Sequence, residues 1–260
     1  MSERIVNHLK TPEKIFPLNR INESQTFNPE LNIEREKYYF SSVETPSFRI
    51  WRSYDSVIIG KFLDPEKEVN LSLAKRLSIP VLARPSGGGA VFHDLGNINY
   101  SIYLPENILP AGRIEDWFQA LSFPVLETLK YFGIPFTLEI TGSILINGFK
   151  ISGSAQAKSG EHFIHHGTLL VNTDLQRLEL LLKRGGRSKC VPVINLSDLI
   201  NDIKVEEVIE IMERTFQNSF FYCKGKSITS VIMENGLRNS HAEEESKRTA
   251  SLLSGGNRKC

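Results

Sequence analysis

Cysteine is scarce in this chain: three of 260 residues, Cys190, Cys223 and Cys260, and none of them close to another in sequence. A disulfide framework needs paired cysteines and a zinc knuckle needs a Cys-x-x-Cys spacing, so the sequence argues against both. Unpaired cysteines of this kind indicate a reducing compartment.

Long apolar runs are also missing. No segment approaches the roughly 18 apolar residues that predict a transmembrane helix. Residues 1–14 are polar and have no apolar stretch of the kind found in a signal peptide. We therefore expect a cytoplasmic protein without membrane contacts.

An excess of one charge is absent as well, because 31 Lys and Arg oppose 30 Asp and Glu, for a formal net charge of +1. Such a balance gives no reason to expect a nucleic-acid partner. The length is typical of one large domain with a small appendage. We expect an N-terminal arm (1–30), a main domain (31–220) and a partly disordered C-terminal extension (221–260).

Hydrophobic periodicity predicts both helices and strands. Alternating or β-branched segments predict strands at 48–52, 56–60, 80–84, 97–104 and 165–171, with the first two joined as a hairpin. Spacings of three and four predict helices near 31–40, 71–77, 114–132, 175–183 and 205–216. We therefore expect an α/β protein of the α+β type, with a mixed, largely antiparallel sheet flanked by helices.

Three consecutive glycines, Gly87 to Gly89, follow Ser86 just after the predicted strand 80–84. Glycine in a strand loses more conformational entropy than other residues and has no side chain to bury. It does let the backbone approach a ligand closely, with amides free to bind an anion. We interpret the segment as an anion site; the alternative is a β-bulge or a flexible turn.

The glycine segment matches neither common nucleotide motif. A P-loop requires a lysine after its last glycine, and a dinucleotide-binding fingerprint opens a helix, whereas the strand-like Ala90-Val91-Phe92 follows here. Arg84, just before the glycines, can offer a bidentate donor to a phosphate or carboxylate. We interpret Asp94, after His93, as a turn residue ahead of Gly96.

A second hairpin is predicted around Asn147-Gly148, the dipeptide that a type I′ turn favours. A two-residue turn predicts three cross-strand pairs: Ile146 with Phe149, Leu145 with Lys150, and Ile144 with Ile151. Because side chains alternate along a strand, four apolar residues would share one face and Lys150 would point to the other. Lys150 is then a positioned cation and not a random surface charge.

The histidines do not form a metal-ligand pattern. His165 and His166 are adjacent in a predicted strand and would face opposite sides, and no acidic or cysteine partner lies at a regular offset. We expect no protein metal site, and one of these histidines lining a pocket. A serine nucleophile lacks the Gly-x-Ser-x-Gly elbow, and Cys190 has no histidine near it in sequence.

Four segments, in this order, resemble blocks of the lipoate–protein ligase A family. They are Arg-Pro-Ser-Gly-Gly-Gly-Ala-Val-Phe-His-Asp-Leu-Gly-Asn at 84–97, Lys-Ile-Ser-Gly-Ser-Ala at 150–155, His-His-Gly-Thr-Leu-Leu at 165–170 with Asn-Thr-Asp-Leu at 172–175, and Val-Ile-Asn-Leu at 193–196. The resemblance extends from about residue 30 to residue 220. It implies that 31–220 is a catalytic domain with a fold like biotin ligases and class II synthetase cores.

The resemblance implies a two-step reaction. Lipoate first attacks ATP, with Mg²⁺, to give lipoyl-AMP and pyrophosphate. A lysine of a lipoyl-domain (E2) protein or of the glycine-cleavage H protein then takes the acyl group. The resemblance implies Lys150 as the catalytic residue, since a cation between carboxylate and triphosphate offsets their repulsion.

The matching positions also imply the binding residues, with the Mg²⁺ ligands left unassigned. ATP binding is implied for Arg84, Gly89, Ala90, Val91, Phe92 and Lys150. Lipoate binding is implied for Arg84, Gly89, Val91, His93, Lys150 and His166.

The chain departs from the family pattern at two positions. Ala83 stands where the first of two arginines usually precedes the glycines, and Ser143 stands where ligases usually carry an acidic residue. We also expect a separate small accessory subunit in place of the C-terminal accessory domain of larger ligases. One alternative is a lipoyl or octanoyl transferase using a preformed acyl donor; another is a non-catalytic acyl- or nucleotide-binding module. A cysteine-dependent transferase is disfavoured because no cysteine precedes Lys189.

Overall fold

The computed structural model describes residues 14–105, 108, 114–183, 192–224 and 227–232. Its helices are α1 (Pro29–Ser42), α2 (Pro65–Glu68), α3 (Leu71–Arg76), α4 (Ile114–Tyr131), α5 (Leu175–Leu181) and α6 (Val205–Gln217). Its strands are β1 (Lys14–Pro17), β2 (Asn19–Arg20), β3 (Ser47–Trp51), β4 (Ser56–Ile59), β5 (Val81–Ala83), β6 (Val91–His93), β7 (Asn97–Pro105), β8 (Thr137–Leu138), β9 (Ile144–Ile146), β10 (Phe149–Ser159), β11 (His162–Leu170), β12 (Ser219–Lys224) and β13 (Ser227–Ile232).

The predicted helices and strands are confirmed within a few residues at their ends. The five predicted helices correspond to α1, α3, α4, α5 and α6, and the five predicted strands to β3, β4, β5, β7 and β11. Pro124 lies inside α4, which continues on both sides of it. Asn28 caps α1 by accepting from the amide of Leu31 at 2.7 Å, which fixes where that helix begins. The polar tail from Gly236 onward lies outside the described residues.

A large sheet with the strand order β2-β3-β7-β11-β10-β9-β8 forms the centre of the fold. Its neighbouring strands are antiparallel except for β2 and β3. The predicted mixed, largely antiparallel sheet flanked by helices is therefore confirmed. The predicted β3–β4 hairpin is wrong, because β4 pairs with β5 and β6 in a separate sheet. The connecting Tyr54 donates its amide to the carbonyl of Phe27 at 2.8 Å, which leads the chain away from β3.

The two faces of the large sheet are covered differently. One face packs against α4 and α6 in the main core, which includes Phe48, Ile102, Leu121, Val125, Met212 and Phe216. The opposite face lies under α1, where Phe40, Tyr103 and Ile164 form a smaller cluster. Polar side chains share this second face with the apolar cluster, and the candidate site lies there.

Two three-stranded sheets complete the fold. The order β5-β4-β6 packs through Val57, Ile59 and Phe92 against α3 and α5 in a second core. The order β1-β12-β13 joins chain segments that are about 200 residues apart in sequence. Strands β1 and β2 lie in the predicted N-terminal arm and form by pairing with the distant β12 and β3.

Candidate active site

The glycine segment connects β5 to β6 and lies close to the end of β4. Gly88 has a φ of +88°, a conformation that favours glycine. A Cβ at Gly60 would overlap the carbonyl oxygen of Gly88, so a glycine is needed on both sides of this contact. Lys61 fixes the segment by donating its amide to the carbonyl of Ser86 at 2.8 Å.

Arg84 is buried inside the curve of the glycine segment. Its Nη2 donates to the carbonyls of Gly87 at 2.6 Å and Gly89 at 2.7 Å, and its Nε donates to Ser86 Oγ at 3.0 Å. Burial lowers the pKa of Arg84 to about 10, and the charge of Glu36 opposes that shift, so the guanidinium stays cationic at neutral pH. Arg84 therefore organises the loop through its carbonyls; its implied contacts with ATP and lipoate stay predictions.

The backbone amides of the same segment are available. Among the described residues, the amides of Gly87, Gly88 and Gly89 have no hydrogen-bond acceptor. The three glycines line an open pocket of about 360 Å³ together with Phe62 and Leu63. Successive amides of this kind can bind an anion such as a phosphate. Phe92 turns its side chain into the second core, which leaves its backbone for the contact that the resemblance implies.

The hairpin that carries Lys150 forms as predicted around its turn. Asn147 and Gly148 have φ values of +51° and +85°, as a type I′ turn requires. Phe149 pairs with Ile146 and Lys150 pairs with Leu145, which confirms those two pairs.

The predicted pairing of Ile144 with Ile151 is wrong, because Ile144 lies opposite Ser152. Both backbone groups of Lys150 bond outside the hairpin, its amide to Pro192 at 2.8 Å and its carbonyl to Ile194 at 3.1 Å, and the strand bulges there. Phe149 is also 44% exposed and not part of the apolar face, which Ile144, Ile146 and Ile151 form without it.

The Lys150 side chain lies over Gly153, on the face of the sheet opposite to the main core. An ideal Cβ at position 153 would be 2.7 Å from the Nζ of Lys150, so glycine makes room for the ammonium. Burial lowers the pKa of Lys150 below its ordinary value and Arg84 lowers it further, whereas Glu139 raises it. The charge of Lys150 is thus influenced by a second cation, Arg84, and by one carboxylate, Glu139.

Two rows of cross-strand neighbours lie on the same face of the sheet as Lys150, and together we call them the floor of the site. In one, Ala155, His166, Ser101 and Arg49 lie opposite one another across β10, β11, β7 and β3. The second row crosses the same four strands and consists of Gly153, Thr168, Asn99 and Trp51. A Cβ built at Gly88 would lie 3.7 Å from that of Ala155, so the glycine segment covers the β10 end of this floor. Small residues, Gly153 and Ala155, therefore lie at the β10 end of these rows, and the aromatic Trp51 lies at the β3 end of one of them.

His166 joins α1 to the glycine segment. Its Nδ1 lies 2.8 Å from Glu36 Oε1, and its Nε2 lies 2.6 Å from Ser86 Oγ. Its neighbour His165 faces the opposite side of the sheet, as predicted, and lies 3.0 Å from Gln156 Nε2. Of the two adjacent histidines, His166 is therefore the one on the side of the candidate site.

His93, at the end of β6, is buried and packs edge-on against Trp51, with 5.6 Å between the ring centroids. Burial lowers the pKa of His93 to about 3, so the imidazole is neutral at physiological pH. Its Nδ1 has no hydrogen-bond partner among the described residues. The implied contact of His93 with lipoate stays a prediction, as does that of Val91.

Sequence patterns alone did not identify Glu36 as a site residue. It lies near the middle of α1 and is 1% exposed, whereas an isolated glutamate in a helix usually faces solvent. Glu139, in the turn between β8 and β9, was also missed; its amide donates to the carbonyl of Ser143 at 2.8 Å. The only sequence signal for Glu36 is its location at the centre of the buried helix stripe that includes Asn32, Ile33 and Phe40.

The part of the chain that the structure describes has neither a cluster of metal-ligating side chains nor a membrane-spanning helix. No three His, Cys, Asp or Glu side chains in the described ranges lie close enough together to hold a metal ion. Within the same ranges, no helix has both the length and the apolar character needed to cross a bilayer.

Known proteins resemble this chain in sequence over most of its length. Lipoate-protein ligase A of Bdellovibrio bacteriovorus is 32% identical over 227 residues, which are 82% of this chain and 64% of that protein. Lipoate–protein ligase 1 of Staphylococcus aureus is 31% identical over 206 residues, 75% of this chain and 62% of that protein. The chain spans between 55% and 64% of the length of the curated relatives it matches.

Solved structures resemble the fold. A putative lipoate protein ligase of Thermoplasma acidophilum, with bound lipoic acid, has a TM-score of 0.68 and 28% identity over 76% of this chain and 84% of that chain. A lipoate-protein ligase A bound with ATP has a TM-score of 0.67 and 27% identity over 77% and 84%. A bi-partite lipoate protein ligase from T. acidophilum has a TM-score of 0.69 and 25% identity over 92% and 93%.

The family model of the lipoyl protein ligase A/B catalytic domain matches residues 28–217. That range includes the glycine segment, the Lys150 hairpin and the β11 strand with His166. The chain therefore belongs to the lipoyl protein ligase A/B catalytic-domain family.

Proposed function

We propose that this chain is a lipoate–protein ligase that activates lipoate with ATP and transfers the lipoyl group to a lysine of an acceptor protein. The observation that carries the proposal is the position of Lys150. Its ammonium lies over Gly153 and is influenced by the charge of Arg84 inside the glycine segment. Among the described residues, the amides of Gly87 to Gly89 have no acceptor. A carboxylate and a triphosphate can meet at such a point, because the cation offsets their mutual repulsion.

In the first step, a carboxylate oxygen of lipoate attacks the α-phosphorus of ATP. The new bond joins that oxygen to phosphorus, and the bond to pyrophosphate breaks, which gives lipoyl-AMP. Lys150 would contact both the carboxylate and the α-phosphate while the amides of Gly87 to Gly89 bind phosphate oxygens. The acyl chain would lie over the sheet face that includes Trp51, Thr168 and His166, and its burial would keep the adenylate from water.

In the second step, the uncharged amine of an acceptor lysine attacks the acyl carbonyl. An amide bond forms, the carbonyl–phosphate bond breaks, and AMP leaves with the electron pair. Lys150 would stabilise the negative charge on the departing phosphate. We propose the lipoyl domain of an E2 protein and the glycine-cleavage H protein as acceptors.

Mg²⁺ would enter with the nucleotide. This ion is commonly bound by one or two carboxylates plus substrate phosphates and keeps several waters, so it needs no protein cage. Glu139 fits that role, because its charge acts on Lys150 and its turn ends at Ser143, where the family usually has an acid. The metal would supply charge neutralisation to the phosphates.

We also propose that a separate accessory subunit assists the chain. The Thermoplasma protein that matches this chain over 92% of its length is described as a bi-partite lipoate protein ligase, studied with its E2 lipoyl domain. A chain of similar extent and fold has the same need for a second polypeptide if that subunit completes the activation step.

Pyrophosphate release tests the proposal directly. The protein is incubated with lipoate, ATP and Mg²⁺, alone and with a candidate accessory subunit, and lipoylation of an E2 domain is followed in parallel. A parallel reaction with octanoate in place of lipoate tests which acyl acid the protein activates. We expect pyrophosphate release that depends on lipoate. Lipoylation from synthetic lipoyl-AMP, with none from lipoate and ATP under either condition, would make the chain a transferase of a preformed acyl donor and would refute the ligase.

A further inference from the structure

A continuous line of hydrogen bonds runs from α1 to the glycine segment. Ser101 Oγ donates to Glu36 Oε1 at 2.9 Å, and the same oxygen lies 2.8 Å from His166 Nδ1. His166 Nε2 lies 2.6 Å from Ser86 Oγ, which also accepts from Arg84 Nε at 3.0 Å. All five side chains are buried.

We propose that Glu36 is a positioning residue that fixes the glycine segment through His166, Ser86 and Arg84. Its effect on the nucleotide rests on the proposed function, whereas its effect on the loop does not.

We call the line of hydrogen bonds from Glu36 through His166 and Ser86 to Arg84 the relay. The direction of these hydrogen bonds supports it. Burial alone would raise the pKa of the Glu36 carboxyl, but His166, the Ser101 hydroxyl and Arg49 outweigh it and hold the pKa below its ordinary value. Glu36 is thus an ionised acceptor, and His166 Nδ1 must be the donor to it. Nε2 of a neutral His166 accepts from the Ser86 hydroxyl, whose oxygen still accepts from Arg84.

The relay also persists if His166 is protonated. Nε2 then donates to Ser86 Oγ, and the Ser86 hydroxyl can turn to the carbonyl of Gly87, which lies 3.3 Å away. In either state Ser86 Oγ remains between His166 and Arg84. The relay therefore holds the serine at one position and does not act as a switch.

Among the described residues, the hydrogen-bond partners of the buried Glu36 carboxylate are Ser101 and His166. Removing a carboxylate from water is costly unless it is paired and hydrogen-bonded. The neighbouring Arg49 already has its own partners, because its Nε bonds to Glu23 and its Nη1 donates to the carbonyl of Asn32 at 3.2 Å. The direct contacts of Glu36 are to Ser101 and to His166, and only the second leads to the loop.

The consequence for the loop follows from Arg84. Its guanidinium donates to the carbonyls of Gly87 and Gly89 while its Nε is shared between Ser86 Oγ at 3.0 Å and the Gly87 carbonyl at 3.1 Å. Without the relay, the Ser86 hydroxyl competes with Arg84 for the carbonyl of Gly87. The loop then loses the arrangement in which its carbonyls are paired and its amides are free for an anion.

Amide exchange in the free protein tests the relay without any ligand. The reporter is the Lys61 amide, which donates to the Ser86 carbonyl, and the internal control is the Val57 amide on β4, which donates to Pro80 at 2.9 Å. We expect Glu36→Met and Ser86→Ala each to speed Lys61 exchange relative to Val57 by about tenfold or more, as loss of a charge-assisted hydrogen bond implies. Glu36→Gln, which keeps the acceptor oxygen, should stay within about threefold of the parent.

The double variant separates a relay from independent packing effects. If Glu36 acts through Ser86, the double variant Glu36→Met with Ser86→Ala should speed Lys61 exchange, relative to Val57, by less than about twofold more than the stronger single variant does. A double-variant acceleration equal to the product of the two single accelerations, or equal acceleration of Lys61 and Val57 exchange, would overturn the proposal.

Thr128→Val is the matched control, because it removes a buried hydroxyl bonded to Thr215 between α4 and α6 and should leave the Lys61-to-Val57 ratio of exchange rates unchanged. Should Glu36→Met not fold, Glu36→Asp, whose carboxylate is one methylene short of His166, takes its place.

Calorimetry with ATP and Mg²⁺ gives the functional result. We expect Glu36→Met to weaken ATP binding at least about tenfold and Glu36→Gln to restore most of it. Faster Lys61 exchange with unchanged ATP affinity would refute the functional half of the proposal. A parent protein that binds no ATP would refute the proposed function, and the exchange measurements would still decide the relay.

Discussion

Lys150 and Gly153 are matched to each other: the lysine Cε and Nζ lie 2.6 Å and 2.7 Å from the point where a Cβ at position 153 would be. Gly153→Ala should therefore displace the ammonium while leaving the strand intact, because the obstacle is the end of a flexible side chain. A misplacement of about 1 Å can cost roughly 10²-fold in rate. We expect kcat for lipoylation from lipoate and ATP to fall by about that factor, with little change in the urea midpoint.

Ser159→Ala, at the exposed end of the same strand, is the matched control and should keep the parent's rate. An unchanged kcat in Gly153→Ala would mean that the position of the ammonium over Gly153 does not matter for the chemistry.

The charge of Glu139 should set the alkaline limit of activity. Burial lowers the pKa of Lys150 and Glu139 partly restores it. Activity that needs the ammonium is lost as pH rises through this pKa. Glu139→Gln removes the restoring charge, so the alkaline limb of the kcat–pH profile should move to lower pH. A limb that stays in place or moves upward would contradict this; Glu161→Gln, an exposed acid beyond the end of β10, is the control.

The buried His165 should make the fold sensitive to acid. Burial lowers its pKa to about 3, whereas an unfolded histidine has a pKa of about 6.5. Between those values the unfolded chain binds a proton that the folded chain does not, so the free energy of unfolding falls with falling pH by up to ~1.4 kcal/mol per pH unit. His165→Gln should remove this part of the slope between about pH 6 and pH 4 in urea titrations. Equal slopes for parent and variant would show that His165 takes up a proton without unfolding.

Local patterns predicted the parts of the molecule that local chemistry determines. Asn147-Gly148 fixes its own turn, and with it the pairing of Lys150 with Leu145. The stripe of α4 predicts the buried Leu121, Val125 and Leu129. The glycine segment was recognisable because consecutive glycines after a strand are costly unless a backbone must approach something closely.

Long-range pairings account for what the sequence did not predict. The bulge at Ile151 arises because Lys150 bonds to Pro192 and Ile194, more than forty residues away. The predicted β3–β4 hairpin does not form, because the amide of Tyr54 bonds to the carbonyl of Phe27 instead of closing a turn. The helical spacing of Glu36 places it in the buried stripe of α1, but no local pattern identifies its partners, because they come from β7 and β11.

Pyrophosphate release by a Lys150→Ala variant tests the central claim most directly. The parent, the variant and the control Lys75→Ala, an exposed residue of α3, are compared with lipoate, ATP, Mg²⁺ and any accessory subunit that the parent needs. Loss of a cation aimed at developing charge typically costs at least about 10²–10³-fold. We predict that Lys150→Ala loses lipoate-dependent pyrophosphate release by this factor or more while its thermal unfolding stays cooperative. Full activity in Lys150→Ala would contradict the assignment of Lys150 as the catalytic residue.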